Sequence, residues 1–149
     1  MRKALLLRLI AIMMAMGALC GCGDNDSDRP LGGVRKELIG TWCITSAFSG
    51  WGGMTEYEAG DVTVTFTGNG EARIVNRRDD QRPVTTGTRS YELITIESSI
   101  FTHEPVTAIV FSGPEWTSQP FTLNFVEGSL HLSQEAFDGI GYTLRRTAP

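Results

Sequence analysis

The cysteine and histidine side chains of this sequence could hold a metal ion or act as a nucleophile or base; they are Cys20, Cys22, Cys43, His103 and His131. Cys20 and Cys22 form a Cys-x-Cys pair, but a structural zinc site needs four ligands and the other three residues show no paired spacing. Cys43 has no neighbouring histidine or lysine to activate its thiol. His103 and Glu104 precede a proline, which indicates a solvated loop rather than an acid–base pair. We therefore expect no metal site, no cofactor and no enzymatic activity; catalysis by Cys43 or His103 is the least favoured alternative.

The residues before the two close cysteines explain them better than metal binding does. Arg2, Lys3 and Arg8 form a basic start, and an apolar run follows through Met16. This layout is typical of a secretory signal peptide and is short for a transmembrane helix. The sequence therefore predicts a signal peptide over residues 1–21.

The four residues Leu19-Cys20-Gly21-Cys22 resemble a bacterial lipobox. The resemblance implies cleavage before Cys22 and a thioether-linked diacylglycerol on its sulfur. Lipidation at Cys20 would place the bulky Leu19 next to the cut, so Cys22 fits better. Cys43 then remains as a lone thiol, and no internal disulfide is expected even in an oxidising compartment.

An acidic stretch follows Cys22, with Asp24, Asp26 and Asp28 separated by small polar residues. Such a composition predicts a solvated tether, which we place at residues 22–33. The stretch also resembles the surface-export signal of Bacteroidetes lipoproteins, and both interpretations hold together. The resemblance implies a lipid anchor in the outer membrane, with the chain facing either the cell surface or the periplasm.

The charge balance narrows the classes of partner. The formal net charge is −4, and every acidic residue lies after Cys22, whereas three basic residues lie in the predicted signal peptide. An acidic body does not favour binding to nucleic acid or to anionic lipid. Contact with the membrane is therefore expected through the lipid on Cys22, not through a basic patch.

From residue 40 onward the apolar residues recur with the two-residue period of strands. Val62, Val64 and Phe66 alternate with threonines, and Asn69-Gly70 marks a hairpin turn. The pattern predicts eight antiparallel strands after one helical turn near Leu38, in a single domain over residues 34–149. Eight strands in sequential order favour an up-and-down barrel, which removes exposed edges; a two-sheet β-sandwich is the alternative.

The start of the first predicted strand, Gly40-Thr41-Trp42, resembles the Gly-x-Trp signature of lipocalins and other calycins. In that family the tryptophan plugs the closed end of the barrel and a basic residue of the last strand covers it. Tyr142, Leu144 and Arg146 alternate at the end of the chain, so the resemblance implies that Arg146 packs over Trp42. The expected roles of Gly40, Trp42 and Arg146 are structural.

Between the first two strands, Phe48, Trp51, Met54 and Tyr57 stand among several glycines. In calycins the first long loop covers the open mouth, so the resemblance implies that these four residues gate a small apolar ligand. The alternative is that the loop folds down and caps the core.

Two functions therefore remain open for a lipid-anchored, lipocalin-like lipoprotein. The barrel could carry a small hydrophobic ligand, or it could be solid and serve as an accessory subunit that binds a protein partner in the cell envelope. Bulky residues that could fill the interior favour the second; they are Phe66, Tyr91, Phe111, Phe121, Phe125 and Tyr142.

Overall fold

A computed structural model describes residues 31–113 and 119–147. The predicted signal peptide, Cys22 and most of the predicted tether lie outside these residues. The described part consists of one helix and nine strands: α1 Leu31–Leu38, β1 Gly40–Ser49, β2 Gly53–Glu56, β3 Val62–Phe66, β4 Glu71–Asn76, β5 Gly87–Ile96, β6 Val106–Phe111, β7 Phe121–Val126, β8 Ser129–Gln134 and β9 Ile140–Arg146.

Eight of the strands form a closed antiparallel barrel, which confirms the predicted fold and sets the sandwich aside. β1 and β3 to β9 pair in sequential order, and β9 returns to pair with β1 from Trp42↔Arg146 to Ser49↔Ile140. Closure gives every one of the eight strands a neighbour on both sides, so the barrel has no edge strand of the kind that open sheets must protect.

β2 is an additional strand where the sequence predicted only a loop. β3 pairs with β1 along Gly40–Cys43, which leaves the same edge of Ser46–Ser49 free. β2 occupies that edge, with Phe48 opposite Met54 and Ser49 opposite Gly53. β2 therefore pairs with backbone N–H and C=O groups of β1 that β3 does not reach. Leaving such groups unpaired would cost free energy.

Aromatic rings pack against one another inside the barrel. Phe66 packs against Tyr91 and Phe111, with ring centroids 5.5 and 6.3 Å away, and Phe111 packs on Phe121 at 6.1 Å. Phe121 in turn packs on Tyr142 at 5.8 Å. Rings at such distances contribute both buried area and favourable edge contacts, so they form a continuous solid centre.

Helix α1 covers one end of the barrel and begins earlier than expected. The sequence predicted a turn from Val34, within a boundary that assigned residues up to 33 to the tether. The helix starts at Leu31 and includes Gly32 and Gly33. Val34 and Leu38, one turn apart, are both buried in the core, and this packing outweighs the weak helix propensity of the two glycines. Among the described residues, no helix is long and apolar enough to cross a membrane.

Candidate functional site

The end of the barrel beneath α1 contains the contact that the resemblance implied. The Arg146 guanidinium carbon lies 4.4 Å from the centre of the Trp42 ring, which is 2% exposed. Arg146 also donates hydrogen bonds to the carbonyl oxygens of Ile39, at 3.0 Å, and of Glu37. The Trp42 indole N–H donates to the Leu38 carbonyl at 2.8 Å, so the tryptophan is held by both α1 and β9.

Gly40 is required by the same arrangement. Its φ of +132° is unfavourable for residues with a side chain. A methyl group at this position would lie 2.6 Å from the Arg146 guanidinium nitrogen. Gly40, Trp42, Arg146 and α1 therefore form one structural unit, which we call the closed end.

Three of the four residues predicted to gate a ligand are exposed. Trp51, Met54 and Phe48 are 89%, 68% and 49% exposed. Tyr57 is partly buried against the core, and the Arg78 guanidinium lies 5.3 Å from its ring centre. The structure therefore places three of these residues on the surface of the β1–β2 hairpin and uses the fourth in packing.

A β-bulge explains why Phe48 points outward. Trp42 and Ile44 face the core, but the β1–β9 register shifts between Ile44 and Ser46. Ala47, rather than a residue of even number, then packs against the core. A bulge adds one residue to one strand and reverses the alternation beyond it, so Phe48 is turned to solvent.

A cavity lies in the barrel wall itself, between β6 and β7. These strands pair at Ala108↔Thr122 and Ile109↔Phe121, and no further pair joins them among the described residues. A cavity of about 380 Å³ opens toward the start of β6 and the end of β7. We call it the β6–β7 slot; its lining is Val34, Thr95, Thr102, Glu104, Pro105, Val106, Thr107, Leu123, Asn124 and Phe125.

The lining of the slot is divided between apolar and polar residues. Leu123 and Phe125 pack against the core, and Val34 of α1 is buried. Thr95, Glu104 and Asn124 are exposed. Half of the ten lining residues are apolar and half are polar, and the cavity volume lies within the range of small-molecule sites.

One wall of the slot is supplied by the loop between β5 and β6, residues 97–105, which we call the strap. The Glu135 carboxylate accepts hydrogen bonds from the Ser99 hydroxyl and the Ile100 N–H, both at 2.8 Å. Ser99 is 2% exposed, and Phe101 packs edge-on against Phe137 at 5.8 Å. The strap is therefore fastened to the loop between β8 and β9.

Among the described residues, those that line the slot do not include Cys43, His103 or His131. Cys43 is buried, and His103 belongs to the strap without lining the slot. His131 Nδ1 lies 3.3 Å from the Thr143 hydroxyl on the neighbouring strand. No group of three or more metal-ligating side chains occurs in the part of the chain that the structure describes.

The charged loop after β4 neutralises itself. Arg78 donates two hydrogen bonds of 3.1 Å to Asp80 and lies 3.5 Å from Asp61. This pairing lowers the pKa of the Asp80 carboxyl. The open hollow beside it is polar and is lined by Asp61 and residues 77–80.

Burial also affects the interior phenols. Loss of solvent raises the pKa of Tyr142 to about 12. The Tyr91 hydroxyl donates to the Thr67 carbonyl at 2.7 Å, and burial raises its pKa as well. Both groups stay neutral at physiological pH and serve packing.

Sequence reasoning did not identify the slot. The segment FTLNFV alternates and the segment VTAIVF is mostly apolar, and neither pattern shows where two strands stop pairing. Pro105 directly before β6 was the available signal, because a proline has no N–H for a strand ladder.

No protein-family model matches this chain, and no curated protein matches it.

Proposed function

We propose that this protein is a lipid-anchored, non-catalytic binding protein of lipocalin-like type that holds a small apolar ligand in the β6–β7 slot. The observation that carries the proposal is the interruption of the barrel wall. The aromatic rings fill the centre, whereas the slot offers about 380 Å³ with apolar walls. This proposal places the ligand in the barrel wall, whereas the sequence favoured the loop that contains Trp51.

The geometry of the closed end supports the lipocalin-like part of the proposal. Gly40, Trp42 and Arg146 meet as the resemblance implied, at the start of β1 and the end of β9. One fold hosts many functions, so this contact supports the type of protein and not the identity of its ligand.

The ligand site is tested by binding of decan-1-ol, a neutral alkyl probe, to the full-length protein in a calorimetric titration. We expect binding to be abolished by Leu123→Trp, because the larger side chain fills the slot. Val126→Trp, on the exposed end of the same strand, is the matched control and should bind normally. Thr95→Trp blocks the slot from an exposed position and serves if Leu123→Trp fails to fold. Equal affinity in wild type and Thr95→Trp would overturn the proposed site.

The anchor is tested separately by metabolic labelling with an alkyne-bearing palmitate analogue in a bacterial host. Cys22→Ala should abolish label incorporation, whereas Cys20→Ala should retain it because Cys20 leaves with the signal peptide. Label retained in Cys22→Ala would refute lipidation at that residue. Protease accessibility on intact cells, compared between wild type and a triple Asp24, Asp26 and Asp28→Ala variant, then distinguishes surface display from a periplasmic orientation.

A second function is favoured by a different observation. Trp51, Met54 and Phe137 are more than two-thirds exposed. Exposed apolar groups that cluster at a surface are typical of protein interfaces. If the slot binds no probe, the protein is better described as an accessory subunit that contacts an envelope partner through these residues.

A further inference from the structure

The polar rim of the slot carries a negative charge, that of Glu104. Among the described residues that line the slot, Glu104 is the one with an ionisable side chain, and none is a lysine or arginine. The other polar lining residues are neutral: Thr95, Thr102, Thr107 and Asn124. A ligand that fills the slot therefore meets a carboxylate at its entrance, with no compensating cation from the lining residues that the structure describes.

Glu104 is fixed in place by its backbone while its carboxylate remains unused. Its N–H donates to the Thr102 hydroxyl at 3.3 Å, and its carbonyl accepts from the Ser99 N–H at 3.0 Å. The Ser99 hydroxyl in turn donates a hydrogen bond to the Glu135 carboxylate. Among the described residues, no hydrogen bond or ion pair engages the Glu104 carboxylate.

We propose that the slot binds an amphiphile with an alkyl chain and a cationic head group, with Glu104 as the residue that determines head-group specificity. The inference rests on the proposed function, since it assigns the ligand class of the same slot. The alkyl chain lies against Val34, Leu123 and Phe125, and the cation lies beside the Glu104 carboxylate at the rim. A fatty acid of equal length would place its carboxylate there instead and be repelled.

The size of the expected preference follows from the exposure of Glu104. A solvent-exposed ion pair contributes modestly, so we expect decyltrimethylammonium to bind about fivefold to tenfold more tightly than decanoate at low ionic strength. Decan-1-ol should lie between them. Added salt should reduce the difference, because exposed charges are screened over a short distance.

The test is a calorimetric titration of these three probes, below their micelle-forming concentrations, into the wild type, E104Q and E97Q. Glu97 is an exposed carboxylate of the same strap that does not line the slot, so E97Q removes an equal charge. We expect E104Q to lose the preference for the cation while its affinity for decan-1-ol is retained, and E97Q to behave as wild type.

Each outcome is decisive for a different claim. Equal affinities for the cationic and anionic probes in wild type, or the same loss in E97Q as in E104Q, would overturn the cationic preference while decan-1-ol binding keeps the slot as a ligand site. No binding of any probe, or binding that Leu123→Trp and Thr95→Trp leave unchanged, would overturn the proposed function together with this inference.

Discussion

The closed end and the β6–β7 slot are built from neighbouring residues, but the strands at the closed end are fully paired whereas the strands at the slot separate. Phe125 belongs to both: it lines the slot, and its ring centre lies 6.1 Å from that of Trp42. On the Trp42 side, β1 is paired to β9 and β3 on its two edges. On the other side, β7 pairs with β8 along its length but leaves β6 after Phe121 and Thr122.

The difference indicates that the continuity of strand pairing determines whether apolar side chains pack against one another or line an open cavity. Where the ladder is complete, apolar side chains meet one another and their burial stabilises the fold. Where it stops, similar side chains line a concave surface that another molecule can fill. Substitutions at the closed end should therefore reduce stability, and substitutions around the slot should reduce binding.

The largest effect is expected at Trp42. Trp42→Ala removes a fully buried indole, its hydrogen bond to Leu38 and the ring beneath Arg146, which should cost about 3–5 kcal/mol of unfolding free energy. Chemical denaturation with urea measures the loss. Trp51→Ala is the control, because Trp51 is 89% exposed and its truncation should change stability by less than about 0.5 kcal/mol. Similar losses of unfolding free energy in Trp42→Ala and Trp51→Ala would contradict the stabilising role of the closed end.

The solid interior predicts a loss of stability at high pH. Tyr142 has its pKa raised from 10.0 to about 12, so the folded state keeps the phenol neutral where the unfolded state ionises it. The stabilising contribution is therefore complete below about pH 10 and declines as the pH rises to about 12, by about 3 kcal/mol in all.

Urea denaturation across this pH range measures that decline, and Tyr142→Phe should flatten it. Tyr57→Phe is the matched control on a less buried ring and should leave most of the decline in place. A steep decline that persists in Tyr142→Phe would show that another group causes it.

At the closed end, Arg146 should contribute less than Trp42. Arg146→Gln removes the cation from the indole face and disrupts the bonds to Ile39 and Glu37, which should cost about 1–2 kcal/mol. Arg145→Gln, one residue earlier, is the control. The Arg145 side chain is exposed, and its backbone pairs with Cys43 in the sheet. Equal stability of the two variants would mean that the guanidinium adds nothing to the closed end.

The smallest effect on stability is expected at the strap. Glu135→Gln weakens two charge-assisted hydrogen bonds and should cost about 1 kcal/mol. Hydrogen exchange should accelerate at the Ile100 amide and remain unchanged at the Trp42 indole, because the closed end does not depend on the strap. Asp138→Asn, an exposed residue of the same loop, should change neither. Faster exchange at both reporters would mean that the two regions open together.

Much of the architecture was readable from the sequence because it depends on alternation. The threonines between Val62, Val64 and Phe66 assign the faces of β3, and the same pattern repeats around the barrel. The contact of Arg146 with Trp42 was also predictable, since both ends of the chain carry the family-like residues that form it.

The features that were missed depend on where strands shift or stop. The bulge after Ile44 turns Phe48 outward, and β2 arises because β3 is shorter than β1. The slot depends on how far β6 and β7 run together, which is a relation between two segments and not a property of either. Residue types alone therefore suggested a ligand site in the aromatic loop, whereas the concave surface lies elsewhere.

The most direct test of the lateral site is an NMR measurement of contacts between decan-1-ol and the methyl groups of the protein. If decan-1-ol binds in the slot, we expect intermolecular nuclear Overhauser effects from its alkyl chain to the methyls of Val34, Val106 and Leu123, which line the slot. Effects concentrated instead on the Met54 methyl would place the ligand at the aromatic loop and contradict the assignment of the slot.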